Sequence, residues 1–204
     1  MAHAALCLTL LPTLLLALAA LLSGCDAGPG KPAFKAIDIT GAEYARDFKL
    51  PDAEGRVRTL ADFKGKVTVV FFGYTQCPDV CPTTMVELAQ VKQALGADGA
   101  RVQGIFVSVD PERDTAEVLK AYVTNFSPDF VALRGTPEET AVLAKQFKVF
   151  YSKVPGPTPT SYTIDHTAGS YVYDAQGKLR LFTRYGSGAE ALTHDLKLLL
   201  AQPG

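Results

Sequence analysis

The chain has 204 residues, 48% of them apolar, and its 20 Lys and Arg nearly balance 21 Asp and Glu, for a net charge of −1. This length and composition suffice for one domain with a substantial core and a short appendage. No basic field is available to hold a phosphate backbone, which argues against nucleic acid as a partner.

The first 24 residues differ from the rest of the chain. Residues 4–22 carry no charge and are dominated by Leu and Ala, a run that suits either a secretory signal or a spanning helix. The sequence LSGC at 22–25 places small residues before a cysteine, as in a bacterial lipobox. We therefore predict a signal peptide over 1–24, lipidation of Cys25, and anchorage to the inner membrane of a bacterial envelope, facing the periplasm or exterior. An uncleaved anchor is the alternative, because the first three residues lack Lys and Arg.

Residues 25–40 are rich in Gly and Pro and show no helical or strand period, which predicts a flexible tether to a domain over 41–204. In that domain, β-branched and aromatic runs predict strands, and apolar residues at three- and four-residue steps predict helices. The predicted strands are 67–72, 102–109, 130–133, 168–173 and 179–185, and the predicted helices are 83–95, 115–126, 138–147 and 188–201. This alternation predicts an α/β fold with a mixed central sheet flanked by helices, in an order that fits a thioredoxin-like domain.

The segment 151–164 is predicted to be an irregular loop. Pro155, Pro157 and Pro159 lie within five residues, and prolines at this density forbid a helix and disfavour a central strand. Because this loop leads to His166, its mobility bears on the site described next.

Cys77 and Cys81 are the only cysteines of the predicted domain, since Cys7 lies in the leader and Cys25 at the lipidation site. They follow a buried strand and open a helix, where their spacing lets both sulfurs point the same way and the helix N-terminus favours thiolate. A structural disulfide is the alternative, but so short a loop restrains little unfolded-chain entropy. Two thiolates favour Cu(I) or Zn, and a four-cysteine iron–sulfur cluster is excluded.

A metal at this pair needs a third ligand, and His166 is the candidate. His3 lies in the leader, and His194 fits a solvated position in the last helix. Asp165, beside His166, is predicted to orient the ring or balance its charge from the second shell of groups around the metal. Two thiolates and one imidazole suit three-coordinate Cu(I) and also zinc with an open position, so the residues alone leave both metals open.

Asp110 is the other predicted outer group of the site. It ends the second predicted strand, and ligands gather where the carboxyl ends of parallel strands meet. If that strand runs parallel to the one before Cys77, both loops share one edge of the sheet. Asp114, by contrast, fits the N-cap of the helix that follows.

Three motifs together resemble those of the Sco/SenC family of copper proteins: FGYTQCPDVCP at 72–82, DPERDT at 110–115 and DHT at 165–167. Order and spacing match from about 48 to 200. The resemblance implies a thioredoxin-like fold and copper, as Cu(I), Cu(II) or both, held by Cys77, Cys81 and His166. It also implies a copper-accepting subunit of cytochrome c oxidase as partner. Gln76 departs from the many members that have histidine there, but that position is not a family ligand.

The leading hypothesis is a copper metallochaperone that helps load the binuclear copper centre of cytochrome c oxidase, a binding protein rather than an enzyme. The first alternative is a membrane-tethered thiol–disulfide oxidoreductase that uses Cys77 and Cys81 on partner cysteines. The second is a peroxide-reducing peroxiredoxin relative, which is disfavoured because Thr75 lies only two residues before Cys77 and no proline precedes it at the expected distance.

Overall fold

The computed structural model describes residues 33–158 and 161–202. The predicted signal peptide, Cys25 and the first part of the predicted tether lie outside these residues. The strands are β1 (Ile37–Asp38), β2 (Leu50–Pro51), β3 (Val57–Arg58), β4 (Val67–Gly73), β5 (Val102–Ser108), β6 (Val131–Leu133), β7 (Tyr151–Pro155), β8 (Tyr162–His166), β9 (Gly169–Tyr173) and β10 (Leu179–Arg184). The α-helices are α1 (Val80–Ala94), α2 (Ala116–Thr124), α3 (Pro137–Phe147) and α4 (Ala189–Leu200). None of the helices in these ranges combines the length and apolar character that crossing a membrane requires.

A six-stranded mixed sheet in the order β1-β10-β9-β4-β5-β6 forms the centre of the fold. Strands β4, β5 and β6 run parallel, whereas β9 is antiparallel to β4 and β10 is antiparallel to β9. Every residue of β4 and β5 is buried, as expected of parallel strands covered on both faces. The predicted thioredoxin-like α/β fold is confirmed.

Strands β4 and β5 end together at the same edge of the sheet. Their register runs from Val67 opposite Val102 to Gly73 opposite Ser108. The loop that carries the cysteines and the loop that begins at Asp110 therefore leave the sheet side by side. This confirms the predicted parallel arrangement and places both loops where ligands gather in α/β sheets.

The segment predicted as an irregular loop forms a β-hairpin instead. Strands β7 and β8 pair with each other, from Tyr151 opposite His166 to Pro155 opposite Tyr162, as a two-stranded sheet separate from the central one. Proline is tolerated here because Pro155 ends a strand that has no second neighbour to receive an N–H bond. His166 thus lies in a strand, as the last residue of β8.

The folded part begins earlier than the predicted boundary at residue 41. Strand β1 pairs with β10 through Ile37 and Asp38. Just before it, the backbone N–H groups of Lys35 and Ala36 donate to the carboxylate of Asp195, over 2.8 and 2.7 Å. Asp195 is buried on α4, and this long-range contact leaves no periodic signal in a Gly- and Pro-rich sequence.

Candidate metal centre

The cysteine loop joins the end of β4 to the start of α1. Helix α1 begins at Val80 with Asp79 as N-cap, three residues before the predicted start. Pro82 is compatible with this because the first turn of a helix needs no N–H donor there. Cys81 consequently lies in the first turn and is buried, whereas Cys77 lies in the preceding turn and is partly exposed.

Cys77 and Cys81 are both free cysteines. The backbone N–H of Cys81 donates to Sγ of Cys77 over 3.4 Å. The interaction between the two side chains, with further backbone N–H donors, lowers the pKa of Cys77 to about 5. The same interaction, together with burial, raises the pKa of Cys81. The pair therefore favours a thiolate on Cys77 and a thiol on Cys81.

His166 meets the cysteines from the hairpin. Its Nε2 lies 3.4 Å from Sγ of Cys81, and its Nδ1 lies 3.1 Å from the carbonyl oxygen of Thr167. A carbonyl only accepts, so this contact places a proton on Nδ1, and Nε2 is the nitrogen that faces the cysteines. The ring stands edge-on to Phe71 and Tyr74, with 5.9 Å between centroids in each pair.

Cys77, Cys81 and His166 offer three ligand atoms that all lie within 4.8 Å of one another. The structure thus brings together the three residues predicted as ligands, from two segments 85 residues apart. Two sulfurs and one imidazole nitrogen form a donor set that suits soft or borderline metals such as Cu(I) and Zn. His194 lies outside this group, on α4 beside Asp195.

Asp165 does not make the contact with the imidazole that was expected of it. Consecutive residues of a strand point to opposite faces, and Asp165 is exposed on the face of β8 opposite to His166. The carbonyl of Thr167 holds the ring instead.

Asp110 is buried, as a group close to the site would be. It accepts a hydrogen bond from the hydroxyl of Tyr162 over 2.7 Å and forms an ion pair with Arg113. The carboxylate therefore contacts Arg113 and Tyr162, which lies on the strand that carries His166, and none of its hydrogen bonds goes to a proposed ligand.

Arg113 and Tyr74, for which the sequence predicts no role, join the hairpin to the cysteine loop. Arg113 donates through one terminal nitrogen to the side-chain oxygen of Gln76, over 3.1 Å, and to the carbonyl of Tyr162, over 2.9 Å. The hydroxyl of Tyr74 accepts from the N–H of Ile164 over 3.2 Å. Arg113 and Tyr74 lie within the quoted motifs, but these contacts span 49 and 90 residues, and nothing in the local sequence indicates their partners.

Asp114 supports the cysteine loop and is not the N-cap that the sequence predicted. Thr115 caps α2. The carboxylate of Asp114 is fully buried and accepts from the hydroxyls of Thr75 and Ser108, each over 2.6 Å. Burial raises its pKa, which these hydrogen bonds offset in part.

Comparison with known proteins gives one family. A family model described as SCO1/SenC matches residues 38–201. The chain is 38% identical over 160 residues to the bovine (Bos taurus) "Protein SCO2 homolog, mitochondrial", in a match that covers 76% of the chain but 59% of that protein.

Solved structures agree with that match. The structure of Bradyrhizobium japonicum ScoI with copper bound is 42% identical with a TM-score of 0.68, over 76% of this chain and 98% of that one. A SCO1/SenC family lipoprotein from Bacillus anthracis is 27% identical with a TM-score of 0.64, over 75% and 92%.

Proposed function

The chain belongs to the SCO1/SenC family, and we propose that it is a copper metallochaperone that helps load the binuclear copper centre of cytochrome c oxidase. The observation that carries the proposal is the convergence of Cys77, Cys81 and His166, whose ligand atoms lie within 4.8 Å of one another. The copper-bound relative at 42% identity supports copper, as Cu(I), Cu(II) or both, over zinc.

Each proposed ligand has a distinct part in receiving the metal. Cys77 is already a thiolate above about pH 5 and meets a cation without losing a proton. Cys81 holds its proton because its pKa is raised, so copper displaces that proton on binding. His166 offers Nε2 because Thr167 holds the other nitrogen. In handing copper to the copper-accepting subunit of the oxidase, the partner's ligands would replace these three in turn.

The proposal is tested by metal content and thiol count measured on the same purified protein. We expect about one copper per chain, and its loss in Cys77→Ser and Cys81→Ser, because either change removes one of two soft ligands. A Cys77→Ser protein that kept the full affinity for copper would refute the site. His194→Gln, which alters a histidine outside the group, is the matched control and should bind as the unmodified protein does.

A second function, thiol–disulfide exchange, is favoured by one specific observation. The pKa of Cys77 is lowered to about 5 beside a second thiol, which is the arrangement of an attacking thiolate and a resolving partner. His166→Ala separates the two functions, because exchange needs only the sulfurs. A chaperone loses stable copper binding and fails to restore oxidase activity in cells that lack the protein. A reductase restores it.

The proposed location is the outer face of the inner membrane of a bacterial envelope, with lipid on Cys25 as the anchor. The support is the LSGC sequence at 22–25 and the similarity to a relative described as a lipoprotein. The intact mass of protein extracted from membranes tests this. A chain that begins at Cys25 and carries the added mass of lipid agrees with the proposal, whereas a chain that begins near Met1 indicates an uncleaved anchor.

A further inference from the structure

We propose that Arg113 is the positioning residue for His166: its guanidinium fastens the β7–β8 hairpin to the cysteine loop and so holds the imidazole beside the two sulfurs. The inference rests on the proposed copper function and deepens it, because it states what brings the third ligand to the other two.

The hairpin requires such a fastening. Strands β7 and β8 hydrogen-bond to each other and not to the central sheet, whereas Cys77 and Cys81 lie between β4 and α1. The chain itself joins the hairpin to the central sheet, since β9 begins three residues after His166. The position of the hairpin beside the cysteine loop depends in addition on contacts with the body. One such contact is the bond from the N–H of Ile164 to the hydroxyl of Tyr74.

Arg113 supplies contacts to both ligand-bearing segments at once. It bonds to Gln76, the residue before Cys77, and to the carbonyl of Tyr162 on β8, the strand that ends in His166. Its guanidinium lies over the ring of Tyr162, 3.5 Å from the ring centroid. The guanidinium of Arg113 thus contacts both the loop that carries the cysteines and the strand that carries the histidine.

The group is itself fixed in place. Asp110 pairs with Nε of Arg113 and accepts from the hydroxyl of Tyr162, so the three side chains form a closed cycle. The Arg113 side chain is 19% exposed and Asp110 is 1% exposed, so solvent screens this pair little. The nearby pair of Lys153 and Glu112 is about half exposed on both sides, and a pair of that kind contributes little.

Arginine is suited to this position in a way that lysine is not. The guanidinium directs several donors in one plane, so it can bond to Asp110, Gln76 and Tyr162 while stacking on a ring. A lysine ammonium is a point charge on a flexible chain and cannot keep that arrangement. Arg113→Lys therefore retains the charge but loses the positioning.

The test measures Cu(I) and Cu(II) affinity of the full-length protein with competing chelators. We expect Arg113→Gln and Arg113→Lys each to weaken copper binding by about 10- to 100-fold, the range for groups that orient a ligand. Arg134→Gln is the matched control. Arg134 donates to the carbonyl of Pro111, over 3.1 and 2.8 Å, so it supports the same loop without bonding to the hairpin. Equal losses in Arg134→Gln and Arg113→Gln would overturn the proposal.

A double-mutant cycle identifies the group through which Arg113 acts. If it acts through His166, then Arg113→Gln costs no further Cu(I) affinity in a His166→Ala protein, whose two sulfurs still bind Cu(I) but far more weakly than the complete site, within the range of competing chelators. The same loss in both backgrounds would mean that Arg113 acts on the cysteines or on the fold, and would overturn the inference. Should Arg113→Gln not fold, Tyr162→Phe serves in the same cycle, because it removes only the hydroxyl bond to Asp110.

Hydrogen exchange on the copper-free protein separates this inference from the proposed function. Arg113→Gln should speed exchange of the Ile164 amide and leave β4 and β5 unchanged, whereas Arg134→Gln should not affect Ile164. Unchanged exchange at Ile164 overturns the inference even if the unmodified protein binds copper. Failure of the unmodified protein to bind copper would refute the proposed function instead.

Discussion

Gly73 lies so close to Cys81 that a methyl group on Gly73 would stand 2.8 Å from the sulfur. The same methyl would lie 2.8 Å from the ring of Phe71 and 3.0 Å from that of Phe106. Both rings and the sulfur are buried in the same core, so an added methyl group would force at least one of them to move. The last residue of β4 therefore fixes where the buried sulfur can lie.

Gly73→Ala is accordingly expected to weaken copper binding by displacing the sulfur of Cys81, in addition to any cost in stability. The matched control is Gly104→Ala, in β5, where an added methyl would stand 2.6 Å from the ring of Phe130 and 2.9 Å from Leu88. Both variants should unfold at lower denaturant concentration, because overpacking a core costs about 1–3 kcal/mol. Only Gly73→Ala should lose copper affinity. Equal affinity in the two variants would contradict the prediction.

The two thiols should differ in their reaction with iodoacetamide. Because the pKa of Cys77 is lowered to about 5, its thiolate is present at pH 6, whereas the raised pKa and burial of Cys81 keep that thiol unreactive. Peptide mass analysis at pH 6 should find Cys77 modified first. The rate should fall as the pH drops through about 5, and urea-unfolded protein should lose the difference between the two residues. Prior modification of Cys81 would contradict the assignment.

The lowered pKa of Cys77 also has a consequence for stability. The thiolate is favoured in the folded state, so its contribution is present in full above the pKa of the unfolded thiol and is lost as the pH falls through about 5. The free energy of unfolding of the copper-free protein should therefore depend on pH more in the unmodified chain than in Cys77→Ser over the range between the two pKa values. Parallel pH profiles for the two proteins would contradict this.

Asp114→Asn should destabilise the protein by about 1–3 kcal/mol, the cost of a buried polar group left without a suitable partner. The carboxylate accepts from Thr75 and Ser108, and an amide NH₂ in its place would face donors. Urea denaturation measures the change. Asp98→Asn is the control, since Asp98 forms an exposed pair with Arg101 and should change stability by no more than about 0.5 kcal/mol. Similar midpoints for the two variants would refute the role given to Asp114.

Asp195→Ala should release the N-terminal segment from the domain. The carboxylate holds the N–H groups of Lys35 and Ala36, so its loss should expose the bond after Lys35 to trypsin. Glu190→Gln is the control because Glu190 also pairs with Lys35, but on the surface, with side chains 96% and 46% exposed, where a pair contributes little. Mass analysis of a timed digest checks this. Equal cleavage after Lys35 in both variants would contradict the role of Asp195.

The parts of the fold that the sequence predicts are those with a long, regular pattern. Strands β4 and β5 are rich in β-branched and aromatic residues, and α3 begins at Pro137 after the N-cap Thr136, so both kinds of element have clear signals. Strands β1, β2 and β3 have two residues each and are too short to show a period. The sequence does not predict the hairpin, because Pro155 argues against a central strand, and β7 is not central.

The residues of the candidate site also divide into those that the sequence predicts and those that it does not. Cys77, Cys81 and His166 can be predicted from their motifs, because two cysteines at a helix start together with a histidine are typical of a metal site. The groups that hold them often act through the backbone: the carbonyl of the adjacent Thr167 holds His166, and Arg113 reaches the carbonyl of Tyr162, 49 residues away. Every residue has a backbone carbonyl, so the sequence does not indicate which one will accept a hydrogen bond. The expected contact of Asp165 with the imidazole is absent because neighbouring residues of a strand point to opposite faces.

Strands β7 and β8 form a sheet of their own, so the position of this hairpin can influence the affinity for the metal. A metal held by residues of both parts would cross-link them, and the cross-link would form fully only in molecules whose hairpin is closed, that is, held by its contacts to Arg113 and Tyr74. The apparent dissociation constant is then the constant of the closed site divided by the closed fraction. A change in hairpin closure therefore alters the affinity for the metal while every ligand atom stays the same. Carrier proteins with one donor set can in this way hold their cargo with different strengths.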